Sequence, residues 1–185
     1  MNTAELASDV SRAADALRRV TVEIRTNRGG LGAGVVWREP RAIVTNAHVV
    51  GTHETCVVRF TDGRTREGRV VRKDEQRDLA QIEVPGDDVE GAVRGGRGGG
   101  GAARLRPGEV VLALGHPFGM SGALAMGVVH AWGERWIRAD LRLAPGFSGG
   151  PLADAAGRVV GINAMVAHGL GLAVPAEAVE EFLRA

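Results

Sequence analysis

The chain of 185 residues contains one cysteine, Cys56, and one lysine, Lys73. A single thiol excludes an intramolecular disulfide and argues against a cysteine-built metal site. Charge of one sign is also missing. The basic residues number 23 and the acidic ones 22, so no net field draws the chain to nucleic acid or to a membrane surface. No apolar run approaches the roughly 18 residues needed to span a bilayer. Residues 1–20 carry Glu5, Asp9, Arg12, Asp15, Arg18 and Arg19 and have no apolar centre of the length a signal peptide needs. The chain is therefore expected in the cytoplasm. Histidines show no ligand spacing either: His48 and His53 are five apart, and His116, His130 and His168 stand alone, so no metal or other cofactor is expected. The run Gly29-Gly30-Leu31-Gly32-Ala33-Gly34 lacks the lysine of a phosphate loop and leads into a strand pattern rather than a helix.

What is abundant is glycine, at 28 residues about twice the usual share. With 44% hydrophobic and 24% charged residues, the chain has the composition of one globular domain or two subdomains sharing a core. Residues 3–19 read as an amphipathic helix, with Leu6, Val10, Ala13, Ala14 and Leu17 on one face and Asn2 with Glu5 as a capping pair. From Val20 the period changes to two, with Val22 and Ile24. Short strands follow at 35–37, 42–44, 56–60, 66–71 and 79–84, with Asp62-Gly63 as a hairpin signal. Residues 93–101 are too rich in glycine to hold regular structure and divide the chain. The arginines around them, Arg94, Arg97, Arg104 and Arg106, are interleaved with no aromatic for base stacking, so a solvated connector is expected and nucleic acid is not. Beyond it, strand patterns recur at 110–114, 126–131, 136–141, 159–164 and 172–174. Pro175 then opens a closing helix that buries Val179, Phe182 and Leu183. The predicted organisation is a helix at 1–19, a β-subdomain at 20–92, the connector at 93–101, and a second β-subdomain with its helix at 102–185. Short strands with regular turns predict an all-β fold, and two halves of five or six strands suit a double barrel.

The strongest local signal is Pro145-Gly146-Phe147-Ser148-Gly149-Gly150-Pro151-Leu152, which frames one of only four serines with three glycines. A nucleophilic serine needs a sharp turn that exposes its hydroxyl and backbone N–H groups aimed at a developing oxyanion. It also needs a base and a group to orient that base. His48, closing Ile43-Val44-Thr45-Asn46-Ala47-His48, is the best placed histidine. Asp78 abuts the apolar run Leu79-Ala80-Gln81-Ile82 and is preferred over Asp74 and Asp140 as the acid. The order His48, Asp78, Ser148 is the one found on the double barrel rather than on the α/β folds that share this chemistry.

These stretches resemble trypsin-like serine protease domains of the HtrA/Deg group. So do Gly32-Ala33-Gly34-Val35-Val36, Arg77-Asp78-Leu79-Ala80, Ala113-Leu114-Gly115-His116-Pro117-Phe118-Gly119, Gly161-Ile162-Asn163-Ala164 and Gly171-Leu172-Ala173-Val174-Pro175. The resemblance implies a chymotrypsin-like fold of two six-stranded antiparallel β-barrels with a cleft between them, and cleavage of protein or peptide substrates through an acyl-enzyme. It implies an oxyanion hole from the N–H groups of Gly146 and Ser148. The primary pocket would be built from Leu143, Ala144, Asn163, Ala164, Met165 and Leu172, and would suit aliphatic side chains. It further implies a homo-oligomer, a trimer assembled through N-terminal segments, although packing of the first helix on its own barrel is the simpler expectation. No PDZ domain is present in this sequence. The chain departs from the family at Phe147, where Asn is usual, at His116 (Asn) and at Ala33 (Ser). A large apolar side chain at 147 is expected to reshape the turn that supplies the oxyanion hole. The alternative is a catalytically silent, peptide-binding chaperone or adaptor on the same fold.

Overall fold

The computed structural model describes residues 3–27, 29–37, 42–86 and 104–185. Six strands, β1 (Thr21–Arg25), β2 (Leu31–Val36), β3 (Ala42–Thr45), β4 (Thr55–Arg59), β5 (Thr65–Asp74) and β6 (Leu79–Glu83), close into one barrel in the order β1-β2-β3-β6-β5-β4. Six more, β7 (Val110–Gly115), β8 (Ala123–Trp132), β9 (Ile137–Asp140), β10 (Pro151–Asp154), β11 (Val159–Ala167) and β12 (Leu170–Pro175), close into a second in the order β10-β11-β12-β9-β8-β7. Every pairing is antiparallel, with Val36 opposite Ile43 and Ile43 opposite Ile82 in the first barrel, and Leu152 opposite Ala113 in the second. Closure satisfies the sheet edges that open sheets leave bare. The predicted connector, 93–101, lies outside the described residues.

Three apolar clusters explain why several strands read as unbroken hydrophobic runs. Alternate residues of a strand point to opposite faces. In β2 and the residue after it, Val36 enters the interior of the first barrel with Ile43, Val58 and Ile82, whereas Val35 and Trp37 face the second barrel. In β7, Val111 and Ala113 fill the second barrel with Ile137, Leu141 and Leu152, whereas Leu112 and Leu114 face back toward the first. The outward sets meet in a shared core with Val44, Leu79, Ile162 and Val174. Each large side chain buried in this way contributes about 1.5–3 kcal/mol, so the barrel junction is held as firmly as either interior.

Both terminal helices seal that junction. Helix α1 (Thr3–Val20) sets Ala13 and Leu17 into the shared core, and Gly157 packs so close to Ala13 that an added Cβ would meet it at 3.2 Å. Helix α3 (Ala176–Arg184) buries Val179 and Phe182, with Leu183 half-buried, and Pro175 stands at its N-cap. Trp37 Nε1 donates to Glu180 Oε1 at 3.1 Å, tying α3 to the first barrel. Strand β1 departs from simple alternation. Glu23 is buried there as well as Val22 and Ile24, and its carboxylate is met by Arg25 at 2.6 Å and Arg59 at 3.7 Å. Strand β10 carries no strand signal of its own, because Pro151 and Leu152 belong to the glycine-framed octapeptide. Proline is admissible there as the first residue of the strand.

Candidate active site

The first barrel supplies an imidazole and a carboxylate. Strand β3 ends at Thr45, and Asn46 holds an extended φ of −82° before the single helical turn α2 (Ala47–Val50). That turn lifts His48 out of the barrel, leaving its side chain 47% exposed. Asp78 sits just before β6 with φ +56°, a left-handed conformation that costs a non-glycine residue about 1–2 kcal/mol. Its carboxylate is satisfied three ways. His48 Nδ1 lies 2.8 Å from Oδ2 and 3.0 Å from Oδ1, and the His48 backbone N–H donates to Oδ1 at 3.0 Å. A carboxylate on both sides of Nδ1 puts the proton there and leaves Nε2 as the accepting nitrogen. Asn46, fully buried, donates Nδ2 to the Asp78 carbonyl at 2.9 Å and so holds the strained residue in place. Asn46 was legible only as part of a motif, and its role as a clamp emerges from the fold.

The second barrel supplies a hydroxyl and two N–H groups with no hydrogen-bond acceptor among the described residues. Phe147 N–H donates to Ala144 O at 3.1 Å across a turn with Pro145 and Gly146 at its centre, and Gly146 has φ +107°. Pro at the second position and a positive-φ glycine at the third define a type II turn. The Gly146 and Ser148 N–H groups donate to no backbone carbonyl among the described residues, and both residues line one cavity. The turn is docked on the first barrel. Ser148 O accepts the Ala33 N–H at 2.8 Å, and a Cβ on Gly149 would come within 2.0 Å of Ala33 O and 2.2 Å of Thr45 Oγ1. Only glycine fits there, at a φ of +85°.

The expected distortion at Phe147 does not occur. Its side chain is 5% exposed and packs into the second barrel's core with Val111, Leu141 and Leu152, while the residue also borders the cavity. Gly115 makes the room: a Cβ there would lie 2.6 Å from Phe147 Cα. Apolar burial replaces whatever a polar residue would bond, and the type II turn is kept.

Ser148 Oγ donates to Ala164 O at 2.7 Å and makes no hydrogen bond to His48 among the described residues. Ala164 is the extra residue of a β-bulge. The pairing passes from Asn163–Ala173 to Met165–Leu172, so its carbonyl has no ladder partner. The imidazole–carboxylate pair is thus assembled, and the hydroxyl shares its cavity without engaging it.

That cavity, of about 460 Å³, is lined by Leu143, Ala144, Ala164, Met165 and Val166 on the second barrel and by Leu31, His48 and Val49 on the first. Four of the six residues expected in a pocket wall are here. Asn163 and Leu172 are not. Asn163 is buried beneath the serine turn, donating Nδ2 to Pro151 O at 2.8 Å and accepting the Gly149 N–H through its carbonyl. Leu172 lies half-buried across the bulge from Met165. Past His48 the cleft continues over Gln76, Arg135, Trp136 and Met165.

A double barrel with a histidine–aspartate pair on one side and a glycine-framed serine on the other is the architecture of trypsin-like peptidases. The trypsin-like peptidase domain family matches residues 32–162, and the chain belongs to it. Among curated proteins it is similar to a putative serine protease HhoB from a Synechocystis species, at 34% identity over 161 residues, 79% of this chain and 38% of that protein. It is also similar to serine protease HTRA1 of Xenopus laevis, at 33% over 165 residues, 82% and 35%. Among solved structures it resembles the HtrA-type protease AlgW with a tripeptide, with a TM-score of 0.85 and 29% identity, covering 95% of this chain and 62% of that one. The chain therefore spans well under half the length of these curated relatives.

Proposed function

We propose that the chain is a serine-type endopeptidase acting on unfolded protein segments. His48 is the general base, Asp78 holds its tautomer and stabilises the imidazolium, and Ser148 is the nucleophile. In this reading Ser148 Oγ leaves the Ala164 carbonyl, passes its proton to His48 Nε2 and attacks the peptide carbonyl. The Gly146 and Ser148 N–H groups take up the oxyanion, about 3–4 kcal/mol for such a donor. His48 then protonates the leaving amine, and water releases the acyl-enzyme. The observation that carries the reading is the pair of hydrogen bonds, 2.8 and 3.0 Å, that fix His48 Nδ1 on Asp78 beside the cavity containing Ser148. The walls of Leu143, Ala144, Ala164 and Met165 bear no charge, which supports a preference for Val, Ala or Leu before the cleaved bond.

The test is hydrolysis of fluorescein-labelled unfolded casein and of a peptide library varied at that position. Ser148→Ala should lower kcat by about 10⁶-fold with the fold retained, and the library should favour aliphatic residues over Arg or Lys. Undiminished hydrolysis by Ser148→Ala overturns the assignment. The silent, peptide-binding reading rests on one observation, the serine hydroxyl bonded to Ala164 O rather than to His48. It predicts peptide binding with no hydrolysis by the wild type.

A further inference from the structure

His116 is the one buried histidine among the described residues, 5% exposed, and the chemistry proposed above makes no use of its ring. Its Nδ1 accepts the Gly122 N–H at 3.3 Å, closing residues 116–122 into a loop stapled by its own first side chain. An imidazole nitrogen that accepts carries no proton, so the proton is on Nε2. Nε2 is buried without a hydrogen-bond partner among the described residues.

The same loop abuts the turn that carries the oxyanion donors. His116 N–H donates to Gly146 O at 2.9 Å, and a Cβ on Gly146 would lie 2.6 Å from His116 O. The far end of the loop is held by α1, where Arg18 Nε donates to Gly122 O at 3.3 Å. The charged groups facing the ring are Glu23 and Arg25 of β1 and Arg59 of β4.

We propose that His116 is a positioning residue for the oxyanion turn, and that protonation of its ring opens the 116–122 loop and lowers turnover. The proposal rests on the peptidase reading given above. Protonated Nδ1–H would point at the Gly122 N–H, donor against donor, and the staple would be lost. Arg25 and Arg59 add repulsion, while Glu23 is already engaged by both arginines. Burial above all holds the His116 pKa below its ordinary value, with Glu23 opposing and Arg59 and Arg25 reinforcing. The neutral, closed state therefore prevails at neutral pH and is lost as pH falls below the ordinary histidine range. Its contribution to stability is complete above the unfolded pKa and disappears as pH falls through the lower folded one.

The experiment follows kcat and KM for an internally quenched peptide with Val before the cleaved bond, from pH 5 to 8.5, in wild type, His116→Asn and His116→Leu. Amide exchange of Gly122 is followed in parallel. Asn places an acceptor oxygen near the Nδ1 position that does not titrate. It should keep kcat within about threefold of wild type at pH 8, whereas Leu should lose about tenfold in kcat with little change in KM. On the acid side, wild-type kcat should fall more steeply than that of His116→Asn. Gly122 protection should drop as pH falls below the ordinary histidine range in wild type and not in His116→Asn. Identical acid limbs in wild type and His116→Asn, or full activity in His116→Leu, overturn the proposal. A folded wild type that is inactive at every pH overturns the peptidase reading instead. In that case a pH-dependent Gly122 amide still supports the staple and a flat one rejects it.

Discussion

The two barrels contribute to the site in different mechanical states. On the first, His48 and Asp78 are fixed by three hydrogen bonds, and Asn46 braces the left-handed backbone of Asp78. On the second, the type II turn at Pro145 and Gly146 is formed, but the hydroxyl of Ser148 rests on the carbonyl exposed by the bulge at Ala164. In the proposed reading the base is held in place while the nucleophile is bonded elsewhere. Side-chain rotation is fast in exposed residues, on the picosecond to nanosecond scale, so in that reading the resting arrangement requires the serine to give up one hydrogen bond. A substrate strand whose N–H competes for the Ala164 carbonyl would displace the hydroxyl toward His48.

Breaking the fixed half should have the largest effect. Asp78→Asn keeps the shape but removes the negative charge and favours the wrong histidine tautomer. It should lower kcat by about 10⁴-fold in steady-state peptide hydrolysis, with circular dichroism unchanged. Breaking the formed part of the second half should cost less. Gly146→Ala forces a side chain onto a φ of +107° and against His116 O, so the donor is displaced and kcat should fall about 10²–10³-fold. If the two losses came out reversed, the first barrel would not be the half that organises the chemistry.

Much of this division is legible in the sequence, and the limits have physical causes. Ser148, His48 and Asp78 stand out because each is a polar residue where an apolar strand meets a turn. The double barrel follows from strand-length apolar runs on either side of a glycine-rich stretch. Strand β10 was hidden because its first residues, Pro151 and Leu152, double as the end of the serine turn. The orientation of Phe147 was unreadable because the space that accepts it is created 32 residues earlier in the chain by the absence of a side chain at Gly115. The family resemblance implies Asn163 in the pocket wall. Strand alternation sends it beneath the turn instead, and the bulge changes that alternation only one residue later.

Smaller effects sharpen the comparison. Trp37→Phe removes the indole N–H donated to Glu180 across the junction and leaves a small cavity in the shared core. A hydrogen bond to a charged group contributes about 1.5–3 kcal/mol, so its loss alone should lower Tm by about 3–12 °C in calorimetry with kcat unaltered. A change in kcat would mean that the junction, and not the turn alone, sets the oxyanion geometry. The smallest effect concerns the first barrel's interior. Burial, with Glu67 adding to it, pushes the Cys56 thiol up to about 11. The native thiol should therefore react with Ellman's reagent at pH 8 far more slowly than the unfolded chain. Because the folded pKa is raised, its contribution to stability is full below the unfolded pKa and declines as pH rises toward the folded one. Rapid native labelling would show that the first barrel opens more readily than its packing implies.

The central claim is that Ser148 is a nucleophile activated by His48, and labelling by a fluorophosphonate reads it most directly. Intact-mass and peptide analysis should show one adduct per folded wild-type chain, on Ser148, slowed strongly in His48→Ala and absent in Ser148→Ala. A folded wild type that takes up no label, or a Ser148→Ala protein labelled as fast as wild type, would contradict the account.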